Sequence, residues 1–236
     1  MIWPFGRGGA AARPRPRLSV CVIAQDRAEE LAGLLDNLRG VGDEVVVVDG
    51  GSRDATPEVA RAAGARLVEH PWPGHWGAQK NVAYEAATGD WILNVDTDER
   101  VGERLRARLP ELVASRRHAF YRLPMYWVVA EGPLRYVRSP QHYPCHVPRL
   151  LRNVQEHRYV ADGRLHPTYP PEVVRRMKKV HGAHLFHLLF MLRSREAIEA
   201  RMRAYEAADP GSRATNRKYY PFWDVPHTIE LCDEGY

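Results

Sequence analysis

The sequence predicts an α/β fold: a mostly parallel sheet flanked by helices, followed by a mixed α+β half. Three observations predict it. Strand-like apolar runs alternate with helix-spaced segments through the first hundred of the 236 residues. One run is four consecutive valines, Val45 to Val48, a pattern suited to a strand buried on both faces. The acids Asp49 and Asp96 each follow directly after such a run, which in a parallel sheet puts both at one edge.

In order, residues 18–24 read as a first strand, and residues 29–39 as a helix with Leu31, Leu34, Leu35 and Leu38 on one face. Val45–Val48 is the second strand. Residues 56–63 read as a helix, with Asp54 a candidate N-cap and Pro57 tolerated in the first turn. Residues 66–69 give a third strand, 76–87 a helix stopped near Gly89, and 91–95 a fourth strand. This alternation argues for parallel strands with crossover helices. Beyond it, residues 103–116 read as a helix and 119–129 as a strand. Proline and aromatic residues then punctuate the chain to about residue 171, and residues 195–208 form a helix with Ser194 as N-cap. Residues 209–236 lack periodicity, and there are no internal repeats.

Apolar residues make up 44% and charged residues 27%, ordinary values for a globular protein. The net charge of +5 is uneven: residues 1–17 carry Arg7, Arg13, Arg15 and Arg17 and no acid, so the remainder is near neutral. The excess describes a basic, disordered tail and argues against a nucleic-acid partner. No run approaches the ~20 apolar residues of a membrane span. The best candidate, Leu185 to Leu192, is too short and contains His187. Cys21, Cys145 and Cys232 are odd in number and far apart, which points to a reducing cytoplasm rather than a disulfide framework.

The most informative stretch is Trp91-Ile92-Leu93-Asn94-Val95-Asp96-Thr97-Asp98, an apolar run ending in two acids one residue apart. In extended chain, residues i and i+2 project to the same side. Converging carboxylates repel unless a proton, a base or a cation lies between them, and a hard divalent cation fits such a pair. The alternative is a solvated turn. The first turn, Ala24-Gln25-Asp26-Arg27, has no glycine, so a dinucleotide fingerprint is absent, as is a P-loop.

Four patterns stand in order: Gln25-Asp26-Arg27; Asp49-Gly50-Gly51-Ser52 after the valines; Gly77-Ala78-Gln79-Lys80-Asn81; and Asp96-Thr97-Asp98-Glu99. Together they resemble the inverting glycosyltransferases of family 2, which share the GT-A fold. The resemblance is good over residues 18–100 and weaker beyond. More narrowly, residues 77–81 and His187 are similar to the bacterial branch that includes lipopolysaccharide-core glucosyltransferases.

With the basic tail at 1–17 and a C-terminal extension at 209–236 set apart by composition, the resemblance implies a nucleotide-sugar-binding half at 18–100 and an acceptor-side half at 101–208. It implies a nucleotide-diphosphate sugar as donor, a divalent metal (Mn²⁺ or Mg²⁺), and a glycan, glycolipid or other hydroxyl acceptor. Asp49 resembles the acid that accepts from the nucleotide base, a turn acid being the alternative. Asp54 is more suited to capping the next helix. Lys80 and Asn81 resemble residues beside the diphosphate and ribose. Ala24, Asp26, Gly51 and Thr97 complete the expected donor site. Asp96 and Asp98 match the D-x-D motif, with Asp98 on the metal, Asp96 on ribose and metal-bound water, and His187 a third metal contact, His166 being the rival.

Inversion requires a general base. Where relatives carry Val-His-Glu this chain has Leu165-His166-Pro167, leaving Asp162 as the nearest carboxylate, with Glu131, Glu172 and His166 as rivals. Tyr126, Trp127, Tyr136, Tyr143 and Tyr169 are candidates to stack on acceptor sugar or to fill the core. The basic tail and residues 186–192 suit a peripheral contact at the cytoplasmic face of the membrane, or simply a tail and a core. A non-catalytic sugar-nucleotide-binding scaffold and a sugar-1-phosphate nucleotidyltransferase are the rival functions.

Overall fold

The computed structural model describes residues 14–160, 168–212 and 221–236. The nucleotide-side half runs β1 (Leu18–Ala24), α1 (Ala28–Asn37), β2 (Glu44–Asp49), α2 (Thr56–Ala62), β3 (Arg66–Glu69), α3 (Trp76–Ala86) and β4 (Trp91–Asn94). It is followed by β5 (Glu99–Val101), α4 (Glu103–Ala114), β6 (Phe120–Ala130), β7 (Arg135–Arg138), β8 (Cys145–Arg152) and α5 (Pro171–Arg176). The chain ends in β9 (Lys178–Lys179), β10 (Leu185–His187), α6 (Leu189–Leu192), α7 (Arg195–Ala208) and β11 (Thr228–Leu231).

Strands β3, β2, β1 and β4 are parallel neighbours, with Val20 opposite Val45 and Trp91 opposite Leu18. The antiparallel strands β8 and β6 then continue the same sheet beyond β4. β10 lies parallel to β6 and antiparallel to β5, and β11 closes the far edge against β7. Among the described residues, no helix is long and apolar enough to cross a membrane.

The valine run earns its burial from both faces. Val47 joins Val20, Val22 and Leu93 beneath the leucines of α1 and Leu105 and Leu109 of α4. Val46 and Val48 turn the other way, joining Cys21 and Ile92 beneath Ala83 and Tyr84 of α3. Period-2 alternation in a two-sided layer therefore leaves no polar face, as a sheet covered by helices requires. The capping expectations divide. Ser194 Oγ accepts from Ala197 N at 3.3 Å, as an N-cap should. Ala55, not Asp54, occupies the N-cap position of α2. Asp54 instead accepts from Thr56 N (2.9 Å) and from Ala28 N (3.1 Å), tying the starts of α2 and α1 together.

The apolar segment at 186–192 starts in the core. Phe186, Leu188 and Leu189 are buried, and Leu192 alone among the leucines there is exposed. Its first half packs against β6, while Phe190 and Met191 are half-buried and Leu192 is exposed. The tail at 1–13 lies outside the described residues.

Candidate active site

Parallel β1, β2 and β4 all end at one edge of the sheet, and a cleft of about 810 Å³ opens there. One wall is the β1 exit (Ala24, Gln25, Arg27) with Trp72, Trp76 and Lys80. The floor is Asp96 to Glu99, and the opposite wall is β6, β8 and the face of α7 carrying Ile198, Arg201 and Tyr205. The spacing 198, 201, 205 is one helical face, so α7 lays a stripe along the cleft. Trp76 meets Tyr205 edge-on, ring centroids 5.0 Å apart, and joins the two walls.

At the floor lies a chain of charges. Lys80 Nζ donates to Asp96 Oδ1 at 2.8 Å. Arg149 Nη2 donates to Asp96 Oδ2 at 2.6 Å and to Glu99 Oε1 at 2.5 Å, and Asp96 N donates to Glu99 Oε2 at 3.0 Å. With its amide oxygen toward the two cations, Asn94 accepts from Arg149 Nη1 (3.0 Å) and Lys80 Nζ (3.1 Å). Burial opposes ionisation of Asp96, but Arg149 and Lys80 outweigh it and hold the carboxyl well below the usual carboxylate range. Glu99 goes the other way: burial raises it, and Asp96 beside it raises it further against the pull of Arg149.

Asp98 stands apart from this chain. Among the described residues no donor hydrogen-bonds its carboxylate, and Oδ1 faces His187 Nε2 at 3.7 Å. That gap is too long for a hydrogen bond and short enough for one cation to bridge. The ring of His187 rests on Trp127 (centroids 4.3 Å), and its Nδ1 is buried without a hydrogen-bond partner. A carboxylate and an imidazole open to the same point are a fitting donor set for a first-row divalent cation, Mn²⁺ more than Mg²⁺. A second cluster, His184, Asp233 and Glu234, lies outside the cleft with its atoms engaged: His184 Nδ1 to Glu234 Oε1 at 2.5 Å, and Asp233 to Arg104 (2.6 Å) and Tyr126 (2.8 Å).

Of the residues predicted from sequence, Ala24, Lys80, Asp96, Thr97, Asp98 and His187 line the cleft. Asp26, Asp49, Gly51 and Asn81 do not, and each has local work. Asp49 is 3% exposed and accepts from Gly51 N and Ser52 N, both at 3.0 Å, and from Ser52 Oγ. Gly51 supplies the positive φ of +91° that this turn needs. Asp26, itself at φ 52°, accepts from Arg53 N at 2.7 Å, so the two loops above β1 and β2 are pinned together. Asn81 exchanges hydrogen bonds with the backbone of Tyr159, donating at 3.1 Å and accepting at 2.9 Å.

Asp162 and His166 lie outside the described residues. Glu131 and Glu172 are exposed and outside the cleft. Of the candidate stacking aromatics, Trp127 lines the cleft, while Tyr126, Tyr136 and Tyr169 are buried in the core and Tyr143 packs against it. Sequence reasoning missed Arg149, Trp72 and Trp76. Arg149 sits in Val147-Pro148-Arg149-Leu150, where a charge between apolar strand residues was the available signal.

Residues 19–121 match the family model described as glycosyl transferase family 2. A TPR repeat-containing protein of Synechococcus elongatus is 45% identical over 85 residues, covering 36% of this chain and 21% of that protein. The lipopolysaccharide core biosynthesis glycosyltransferase LpsC of Rhizobium meliloti is 36% identical over 107 residues, covering 43% and 39%. The aligned region thus spans well under half of either relative. In fold, the chain is similar to glucosyl-3-phosphoglycerate synthase of Mycobacterium tuberculosis in complex with Mn²⁺, uridine diphosphate and glucosyl-3-phosphoglycerate. The TM-score is 0.52 at 16% identity, covering 92% of this chain and 87% of that one.

Proposed function

We propose, for a chain that carries a glycosyl transferase family 2 domain on a GT-A fold, that it moves a sugar from a nucleotide-diphosphate donor to a hydroxyl acceptor with inversion. The observation that carries the reading is the floor of the cleft. Asp96 is neutralised by Lys80 and Arg149, whereas Asp98 and His187 face each other 3.7 Å apart at the carboxyl edge of the sheet.

In this reading Asp98 and His187 would hold the divalent metal, which would supply Lewis-acid stabilisation of the diphosphate leaving group. Asp96, kept ionised by its two cations, accepts from a ribose hydroxyl or a metal-bound water. Arg27 and Arg193, shared across Glu30, give the mouth of the cleft a positive potential for the diphosphate. Trp72 and Trp76 offer flat apolar faces beside Lys80 for base or sugar. The likeness to LpsC supports an acceptor in bacterial envelope or lipopolysaccharide glycan synthesis, and a cytoplasmic site of action follows from the donor.

The test is turnover. Purified protein with Mn²⁺ is offered UDP- and GDP-sugars together with envelope glycan acceptors, and nucleotide release and product anomeric configuration are followed. Nucleotide release with an inverted anomeric centre is expected. Retention would contradict the single-displacement mechanism, and binding without any release would favour a non-catalytic scaffold.

A further inference from the structure

Resting on the glycosyltransferase reading, we propose that the general base for the acceptor hydroxyl is the imidazole of His146, acting through Nδ1. His146 lies on β8 opposite Pro124 of β6, and it is among the residues lining the same cleft as Asp98 and His187. Its Nε2 is 3.0 Å from the carbonyl oxygen of Val180, on the far side of β6. A carbonyl only accepts, so Nε2 carries the proton and the lone pair belongs to Nδ1. No described residue hydrogen-bonds Nδ1. A base needs this arrangement of nitrogens, one fixed by an acceptor and the other without a described hydrogen-bond partner.

The surroundings keep the ring neutral. Arg122 of β6 donates to the His146 carbonyl through Nε (3.1 Å) and Nη2 (2.8 Å), Lys179 comes from β9, and the His181 ring is 5.3 Å away. No carboxylate stands among these neighbours. Burial, aided by Lys179, His181 and Arg122 and opposed by the Val180 hydrogen bond, holds His146 below its usual 6.5. It is therefore unprotonated at neutral pH. Of the acids lining the cleft, Glu30 is paired with Arg27 and Arg193, Asp96 with Lys80 and Arg149, and Glu99 with Arg149, while Asp98 faces His187 across the gap assigned to the metal.

In the step itself the acceptor oxygen bonds to the anomeric carbon while its proton passes to Nδ1. The bond from the anomeric carbon to the phosphate oxygen breaks, and its electron pair leaves with the nucleoside diphosphate. The resulting imidazolium, disfavoured by Arg122, returns its proton to solvent.

The test compares wild type, His146→Gln and Asp162→Asn. His146→Gln keeps an amide N–H for Val180. Nucleotide release from UDP- and GDP-sugars with Mn²⁺, water serving as the acceptor, is followed against pH, and imidazole NMR reads the ring. We expect His146→Gln to lose about 10²-fold or more in release. Its acid limb should vanish, its nucleotide-induced stabilisation should remain, and Asp162→Asn should stay within a few-fold of wild type. In wild type, NMR should find the His146 proton on Nε2 and titration below 6.5. An undiminished rate in His146→Gln, a loss carried by Asp162→Asn, or a proton on Nδ1 at neutral pH would overturn the assignment alone, and where release is too slow to read, the NMR decides. A wild type that neither binds nor cleaves any nucleotide sugar would overturn the underlying reading together with it.

Discussion

Replacing Arg149 by methionine should cost this protein more stability than removing any single leucine at the rim of the core. Arg149 serves both Asp96 (2.6 Å) and Glu99 (2.5 Å), and the Glu99 side chain has no exposure at all. Methionine fills much of the volume, so the dominant loss is electrostatic. Removing one partner of a buried ion pair costs about 3–5 kcal/mol because the other charge stays desolvated. For a chain of this size each kcal/mol is worth about 2–4 °C, so the melting temperature should fall by about 6–20 °C. The carboxylates have one escape. Without Arg149, Glu99, already raised by burial, takes up a proton more readily. A folded-state value above the unfolded one makes stability fall as pH rises, so the variant should be hurt less near pH 5 than near pH 8. Adding Glu99→Gln should restore part of the loss, a coupling of about 1–3 kcal/mol. Urea and thermal unfolding of the two single variants and the double variant at both pH values measure each quantity. A loss below about 1 kcal/mol for Arg149→Met, or one independent of pH, would refute the reasoning.

Three further outcomes are expected. Asn81→Ala removes both hydrogen bonds to Tyr159 and should destabilise by about 1–3 kcal/mol in denaturant while leaving nucleotide affinity unchanged, since Asn81 does not line the cleft. Gly89→Ala should destabilise by about 1–3 kcal/mol, because its new Cβ would lie 2.8 Å from Ser19 N and 2.9 Å from Arg17 O, backbone atoms that cannot swing away. Burial lowers His146 and His157 below 6.5 in the folded protein, so between those values and 6.5 the unfolded chain binds more protons and stability rises with pH. Melting temperature should therefore drop as pH falls from about 7 to 5, and His157→Gln should flatten part of that slope.

The parallel half was legible because one physical rule, burial on both faces, wrote itself as Val45–Val48 and as the leucines of α1. β11 was not, because Thr228–Leu231 is an edge strand with exposed side chains and so has no apolar alternation to read. Asp96 and Asp98 were visible as a pair with different expected roles, yet the ion pairing that engages Asp96 was not. It depends on Arg149 arriving from β8, more than fifty residues later, by antiparallel pairing with β4. Asp49 and Asn81 show the converse. Their motif positions match a donor site, while the local hydrogen bonds they also make, to the β2 turn and to Tyr159, left no mark in the motif. Trp72 and Trp76 gave no periodic signal, since a cleft wall is defined by what faces it rather than by its own spacing.

The most direct test of the account is thermal unfolding of wild type and Asp98→Asn with UDP, GDP and their sugars, with and without Mn²⁺. A ligand at about a hundred times its Kd adds ~2.7 kcal/mol, several degrees for this chain. The account predicts a shift for one nucleotide class that requires Mn²⁺ and disappears in Asp98→Asn, whose fold and unliganded melting temperature stay near wild type. A shift that persists without metal or in the variant would contradict the assignment of Asp98 and His187, and no shift with any nucleotide would contradict the donor site itself.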